Sequence, residues 1–441
     1  MTLHSPRRVV ITGLGLISPL GISPDKMWEA LRAGQSGIAT LQSLPVENMP
    51  SKVGGEARDF TGEIENFGPL EKMMQRNIKK GLKMMCREIQ MGVAAAQLAL
   101  HHAGMDASKR DPERTGVSYG SDYVVTMPED FADGVRNCLD ANKKFDFTQW
   151  AERGLTDVDP LWLLKYLPNM PGSHIAIYND LRGPSNSITL REAAANLAVG
   201  EAFAIISRGG ADAMIAGATG TRIHPLRSVH TITQEQVAPA NELAPEKVCR
   251  PFDRQRTGQV LGEGAGAVLL EELQTAQTRG ATIWGEVVGN ASSCVVDSNG
   301  VADYRTAIRN VLVGALRSAR IAPEDVGHIH AHGLSTHRCD AEEAQAIHDI
   351  FGQRKIPVPV TAAKSYFGNL GAGGGTVELI ASLLSLRHGQ LFPVLNFETP
   401  DPECPINIAR SIDQSPGESF VNINTTPRGQ ASAVVVRRFD G

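Results

Sequence analysis

Short apolar runs that close on glycine, each followed by a helix-like stretch, recur along this chain and restrict it to folds with buried strands. Arg8–Leu16 (RVVITGLGL) starts with β-branched residues and ends in glycines, the pattern of a strand covered on both faces. Ser23–Ala33 reads as a helix, with Ser23 as N-cap, Pro24 in the first turn and Gly34 as the stop. Further strands are predicted at Arg114–Gly120, Ala213–Ala218, Gly264–Leu270, Ala281–Val288 and Val326–His332, and from about Val358. Helices are predicted over Met91–Ala103, Ala193–Ser207 and Tyr304–Ser318, the first preceded by a basic amphipathic stretch from residue 71. Met73, Met74, Met84 and Met85 in that stretch read as packing residues. Strands alternating with helices call for packed α-β-α layers. The segment 125–180, rich in Asp, Trp and Pro, shows no clean period. It keeps apolar anchors such as Trp162 and Leu163, and so reads as an insertion or cap.

Composition narrows the function. The 441 residues are 42% hydrophobic and 21% charged, which excludes disordered, collagen-like and coiled-coil classes. The length suits two or three domains, or one large unit built from two similar halves. A net charge of −5 gives no reason to expect binding to nucleic acid or to a membrane surface. No uninterrupted apolar run reaches the roughly 18 residues of a membrane span, and Met1–Gly15 lacks the apolar core of a secretion signal, so a cytoplasmic protein without membrane insertion is expected. Six cysteines are scattered without CxxC pairs, which argues against a disulfide framework or a zinc site. His330 and His332 lie two apart on a predicted strand and share a face, but no third ligand stands at useful spacing, and no metal is expected. The 44 glycines fall mostly at strand ends and strand-to-helix turns, where backbone is built to face ligands.

Several segments in order resemble the β-ketoacyl-acyl carrier protein synthases. They are Arg7–Gly21 (RRVVITGLGLISPLG), Gly183–Ser187 (GPSNS), Arg250–Gly266 (RPFDRQRTGQVLGEGAG), His330–Asp340 (HAHGLSTHRCD), Lys364–Gly373 (KSYFGNLGAG) and Asn396–Pro405 (NFETPDPECP). The resemblance covers essentially the whole chain. It implies an α/β thiolase-like fold, two similar halves in an αβαβα arrangement, and a dimer. The halves are expected at 1–270, with the cap at 125–180, and at 271–441. It implies acyl carrier protein as partner, no cofactor, and a Cys-His-His site with a supporting Lys–Glu pair. That chemistry needs a thiolate at a helix N-terminus to carry the acyl chain, and imidazoles to stabilise the enolate formed by decarboxylation.

The chain departs from this pattern at three places. In GPxxSxxTACA the cysteine position is Glu192, which cannot form a thioester. Cys294 and Cys339 read as loop residues away from the elbow. His332 stands at the first histidine, but Asn369 replaces the second, while Lys364 and Glu378 keep the supporting pair. The glycine-rich gate GFGG becomes Thr425, Thr426, Pro427 and Arg428, and Pro427 removes a backbone N–H and flexibility. Together these changes predict loss of ordinary condensation. Glu192 serves either as a structural carboxylate at a helix N-terminus or as a polarising group in a substrate pocket. Lys364 and Glu378 read as a buried ion pair or as part of a site. Lys79, Lys80 and Lys83 stand where similar synthases present basic residues to their carrier, or form a solvated helix face.

The expectation is therefore a partner of the chain-length-factor type, in a homodimer or in a heterodimer with a cysteine-containing ketosynthase of fatty acid or polyketide synthesis. The alternatives are a malonyl-carrier decarboxylase, a thioester hydrolase, a scaffold that sequesters acyl chains, and a conventional 3-oxoacyl-carrier synthase.

Overall fold

The computed structural model describes residues 6–47, 49–239 and 243–440. The first predicted strand forms as β1 (Val9–Ile17), with all nine residues buried. Glycines within it let a helix lie against its backbone: a Cβ on Gly13 would come within 2.4 Å of the Ala99 carbonyl oxygen, and one on Gly15 within 2.0 Å of that of Ala95. Helix α1 (Pro24–Ala33) forms as its local chemistry dictates. The Ser23 side chain accepts from the Lys26 N–H, and Gly34 ends the helix in the left-handed region at φ 65°.

The remaining main strands are β2 (Thr115–Ser121), β3 (Ser185–Thr189), β4 (Ala213–Thr221), β5 (Leu261–Glu272), β6 (Gly285–Cys294), β7 (His328–His330), β8 (Pro359–Thr361), β9 (Ser419–Thr425) and β10 (Gln430–Arg437). Their spatial order is β1-β5-β4-β2-β3 in the N-terminal half and β6-β10-β9-β7-β8 in the C-terminal half. The two orders are the same permutation. In each half the first two joints are antiparallel and the next two parallel. The halves meet where β1 pairs with β6 along only Val9–Ile11.

Helices α2 (Lys72–Gly81), α3 (Arg87–His102), α4 (Met170–Asn179), α5 (Ala194–Ser207), α6 (Pro225–Gln234), α7 (Tyr304–Ala319), α8 (His337–Phe351) and α9 (Gly374–His388) complete the frame. Period-two alternation assigns each strand face to a layer. Val268 and Leu270 of β5 join the central core with α5 and α9, while Ala267 and Leu269 join the outer core with α3 and α4. On the other side Val434 and Val436 of β10 face the centre, and Ala433 and Val435 face α7 and α8. Helix α9 is buried from Gly374 to Leu386, which explains its apolar and small residues all round. The result is the expected five-layer αβαβα architecture of two similar halves.

Three readings need correction. The strand expected at Ala281 begins at Gly285, because the Ala281 N–H instead bonds the Ala276 carbonyl and closes the preceding helical turn. Cys294 ends β6 and Cys339 lies in α8, so neither is a loop residue. His330 is the last residue of β7 and His332 lies beyond it, so they are not strand neighbours. Of the four methionines, Met85 is buried but Met73 is 68% exposed. Within 125–180, α4 packs Pro171, Gly172, His174 and Ile175 inward. The preceding segment gathers Phe131 against Trp162 and Trp150, with ring centroids 4.9 and 6.0 Å apart.

Candidate active site

The elbow between β3 and α5 sets the site. After Leu190 (φ −144°, ψ 39°), Arg191 takes a left-handed backbone at φ 51°, an unfavourable conformation for a non-glycine residue. This turn carries Glu192 into the protein at the start of α5, where it is 2% exposed. Its carboxylate pairs with the fully buried Arg222, lies 3.5 Å from Arg191 Nε, and accepts from Asn369 Nδ2 at 3.1 Å. Burial alone raises a carboxyl pKa. Here the Arg222 and Arg191 charges outweigh it and hold Glu192 well below the usual carboxylate range.

Asn369 also donates to Gln259 Oε1 at 2.7 Å, Gln259 donates to Glu235 at 2.8 Å, and Glu235 pairs with Arg191 at 2.5 Å. Glu192, Asn369, Gln259, Glu235 and Arg191 thus close a ring. Arg222 leads out of it to Asp122 at 3.4 Å, and beyond lies a second buried arginine, Arg227, paired with Glu88 at 2.7 Å. Arg227 stands over the Tyr123 ring at 4.6 Å.

His332 is 1% exposed, and Lys364 Nζ lies 3.2 Å from its Nδ1. An ammonium only donates, so Nδ1 accepts and the neutral ring carries its proton on Nε2. Burial and the Lys364 charge both push the imidazole pKa well down. Lys364 further donates to the His332 carbonyl at 2.9 Å and to Glu378 at 2.5 Å, and Asn424 donates to Glu378 at 2.7 Å. Lys364 and Glu378 form a buried ion pair, and Lys364 contacts both the ring and the carbonyl of His332. Glu343 accepts from the backbone N–H groups of His332 and Gly333 at 2.6 and 2.8 Å. Burial pushes its carboxyl pKa up to about 8.

Two of the sequence motifs act as struts. Asp340 accepts from the N–H groups of Leu334, Ser335 and Phe252, joining the histidine loop to RPFD. Asp253 accepts from Glu398 and Thr399, joining RPFD to NFETP.

The gate position is a closed turn. Gly429 N–H bonds the Thr426 carbonyl at 3.0 Å, and Thr426 N–H bonds that of Gln430 at 2.8 Å. Pro427 and Gly429 occupy the second and fourth places that such turns favour. Thr425 and Thr426 are buried, while Arg428 is exposed. Arg428, Arg191 and Arg338 line a cleft of about 360 Å³ between gate and elbow.

Glu192, Asn369, His332, Lys364, Glu378 and the gate are brought together, while Lys79, Lys80 and Lys83 lie exposed on α2 and the turn after it. Arg222, Asp122, Gln259, Glu235 and Glu343 were not singled out by the sequence. The one signal available was an arginine inside the small-residue run GATGTRIHP. No cysteine occupies the elbow, and burial raises the Cys86 and Cys404 thiols to about 12. Among the described residues no group of three or more His, Cys, Asp or Glu could hold a metal, and no helix is long and apolar enough to cross a membrane.

Two equivalent halves, with interior helices α5 and α9 starting beside Glu192 and Asn369, place the molecule among the thiolase-like folds. The chain belongs to the β-ketoacyl synthase family: residues 6–276 match the Beta-ketoacyl synthase N-terminal domain and residues 284–398 its C-terminal domain. It is 32% identical over 415 residues to 3-oxoacyl-[acyl-carrier-protein] synthase 2 of Synechocystis sp., covering 94% of this chain and 92% of that one. The enzyme of the same name from Staphylococcus aureus (strain COL) is 31% identical over 437 residues, 98% of each chain. Among solved structures, the ishigamide ketosynthase/chain length factor is similar at TM-score 0.83 and 26% identity, covering 98% of this chain and all of that one. A type II polyketide synthase acyl-carrier protein in complex with its ketosynthase bound to the hexaketide aligns at TM-score 0.80 and 25% identity, covering 99% and 100%. The chain is thus a ketosynthase-family homologue of proteins of fatty acid and polyketide synthesis.

Proposed function

We propose that this protein is a condensation-inactive partner of the chain-length-factor type, working beside a cysteine-containing ketosynthase in the cytoplasm. The observation that carries this reading is the state of Glu192. The side chain at the nucleophile position is a carboxylate neutralised by Arg222 and Arg191 and held by Asn369. It can neither form a thioester nor leave its place cheaply.

The decarboxylase reading is weaker, since both protons of the Asn369 amide are already engaged, by Glu192 and Gln259, and neither is free for an enolate oxygen. The relatives' name, 3-oxoacyl-carrier synthase, describes chemistry for which this elbow lacks the thiol. Surface for a partner subunit is available at β3, the edge strand of its half, and at exposed apolar residues of the cap such as Phe147, Leu161 and Leu163. A cavity of about 670 Å³, walled by Leu44, Phe60, Val124, Val125, Met127 and Ile223, offers room for an acyl chain away from the blocked elbow. Lys79, Lys80 and Lys83 supply cations for an acidic carrier protein.

Mass spectrometry after incubation with acyl-loaded carrier protein tests the reading. No acyl adduct should form on this chain alone, and product should appear only when a cysteine-containing ketosynthase is co-expressed and co-purified with it. A stable adduct on this chain, or turnover by it alone, overturns the proposal.

A further inference from the structure

A second cavity lies far from the elbow, between the start of α2, the C-terminal half of α3, the loop after α3 and the end of α4. It holds about 340 Å³, at the small end of the roughly 300–1,000 Å³ typical of ligand pockets. Leu70, Met74, Leu100 and Met105 give it apolar walls. Two polar groups stand among them. Gln97 is 4% exposed, yet its amide Nε2 has no hydrogen-bond partner. Leaving a buried donor unmet is costly, and native proteins seldom do so without a ligand or an ordered water.

The second group is Arg110. Its guanidinium touches only the Asn179 amide oxygen, at 3.5 Å, and has no carboxylate within 4 Å among the described residues. Asp106 also lines the cavity, but its carboxylate is taken by Ser108 and by Lys109 at 3.3 Å. Glu71 and Lys109 stand at the exposed rim. The interior therefore offers a cation and an amide donor beside an apolar wall, and the carboxylates that act on the cation, Asp106 and Asp180, stay beyond ion-pair distance of it.

We infer that this cavity binds a medium-length aliphatic carboxylate, its head group on Arg110 and Gln97 and its tail along Leu100, Met74 and Met105. A carboxylate accepts from both donors at once, and a charge-assisted bond to arginine is the stronger kind. The methylene tail is favoured by about 0.8 kcal/mol for each CH₂ removed from water. The inference is independent of the reading of the elbow.

Isothermal titration of the full chain with octanoate, and with octan-1-ol as the uncharged control, tests it. Octanoate should bind, Arg110→Gln should weaken it about tenfold while leaving octan-1-ol within about twofold, and Met105→Trp should abolish both. Thermal melting confirms that each variant is folded, and a variant that fails to fold is replaced by Gln97→Leu, which should also weaken octanoate selectively. No octanoate binding at millimolar concentration, or affinity unchanged in the folded variants, overturns the inference. None of these residues touches the Glu192 ring, so the outcome leaves the partner-subunit reading to its own test.

Discussion

A guanidinium removed wholly from water is tolerated only when its charge is met, and Arg222 is met by Glu192 and Asp122. Arg222→Met should therefore destabilise the protein by about 3–5 kcal/mol, because it takes the nearest counter-charge from two buried carboxylates, Glu192 and Asp122. Adding Glu192→Leu should recover much of that loss, and a double-mutant cycle by urea denaturation measures the coupling. Titration gives a second check. Glu343, held neutral up to about pH 8 in the folded chain, opposes folding as pH rises from its unfolded value of 4.5 through 8. His328, with a folded pKa of about 4 against 6.5 unfolded, acts on the other side and loses its contribution as pH falls below 6.5. Glu343→Gln should flatten the decline between pH 6 and 8.5, a slope on the order of 1.4 kcal/mol per unit, and leave the acid limb intact. Of these residues, Glu192 and Asn369 were legible because a motif frames them. Arg222 was not, since its role depends on a partner 30 positions away that only the fold brings near.

At the scale of elements, α1 was readable to the residue because Ser23, Pro24 and Gly34 act locally. The break between α2 and α3 was less legible, since basic and alanine-rich runs there both favour helix and only packing separates them. The contact of β1 with α3 makes a sharp prediction. Gly15→Ala would drive a methyl to 2.0 Å from the Ala95 carbonyl oxygen, so the strand and helix must part. The expected loss is about 3 kcal/mol by chemical denaturation. Gly104→Ala provides a contrast: no atom lies within 4 Å of its Cβ position, so any cost there comes from its left-handed φ of 61° and stays near 1 kcal/mol.

For the whole molecule, the repeated strand order means that each half supplies one interior helix and that both begin at the same place. Such an arrangement can lose its chemistry and keep its frame, because RPFD and NFETP brace the loops through Asp253 and Asp340 rather than through the reacting groups. If the cavity beside Val125 measures product length within a complex, Val125→Trp should shorten the products made by the co-purified ketosynthase without weakening assembly. Chromatographic sizing of the products, with the complex quantified by size exclusion, checks both parts.

The closed ring at the elbow also bears on how this sequence can change. Replacing Glu192 with cysteine in one step would leave the buried Arg222 charge to Asp122 alone and strip one partner from both Arg191 and Asn369. A thiol introduced there would meet two arginines left with one counter-anion each, Glu235 for Arg191 and Asp122 for Arg222, an asparagine at the second histidine position of the motif, and a turn closed by Pro427. Any change of Glu192 to a thiol therefore passes through destabilised single variants, and several substitutions must change together for the ring to be replaced without loss of stability.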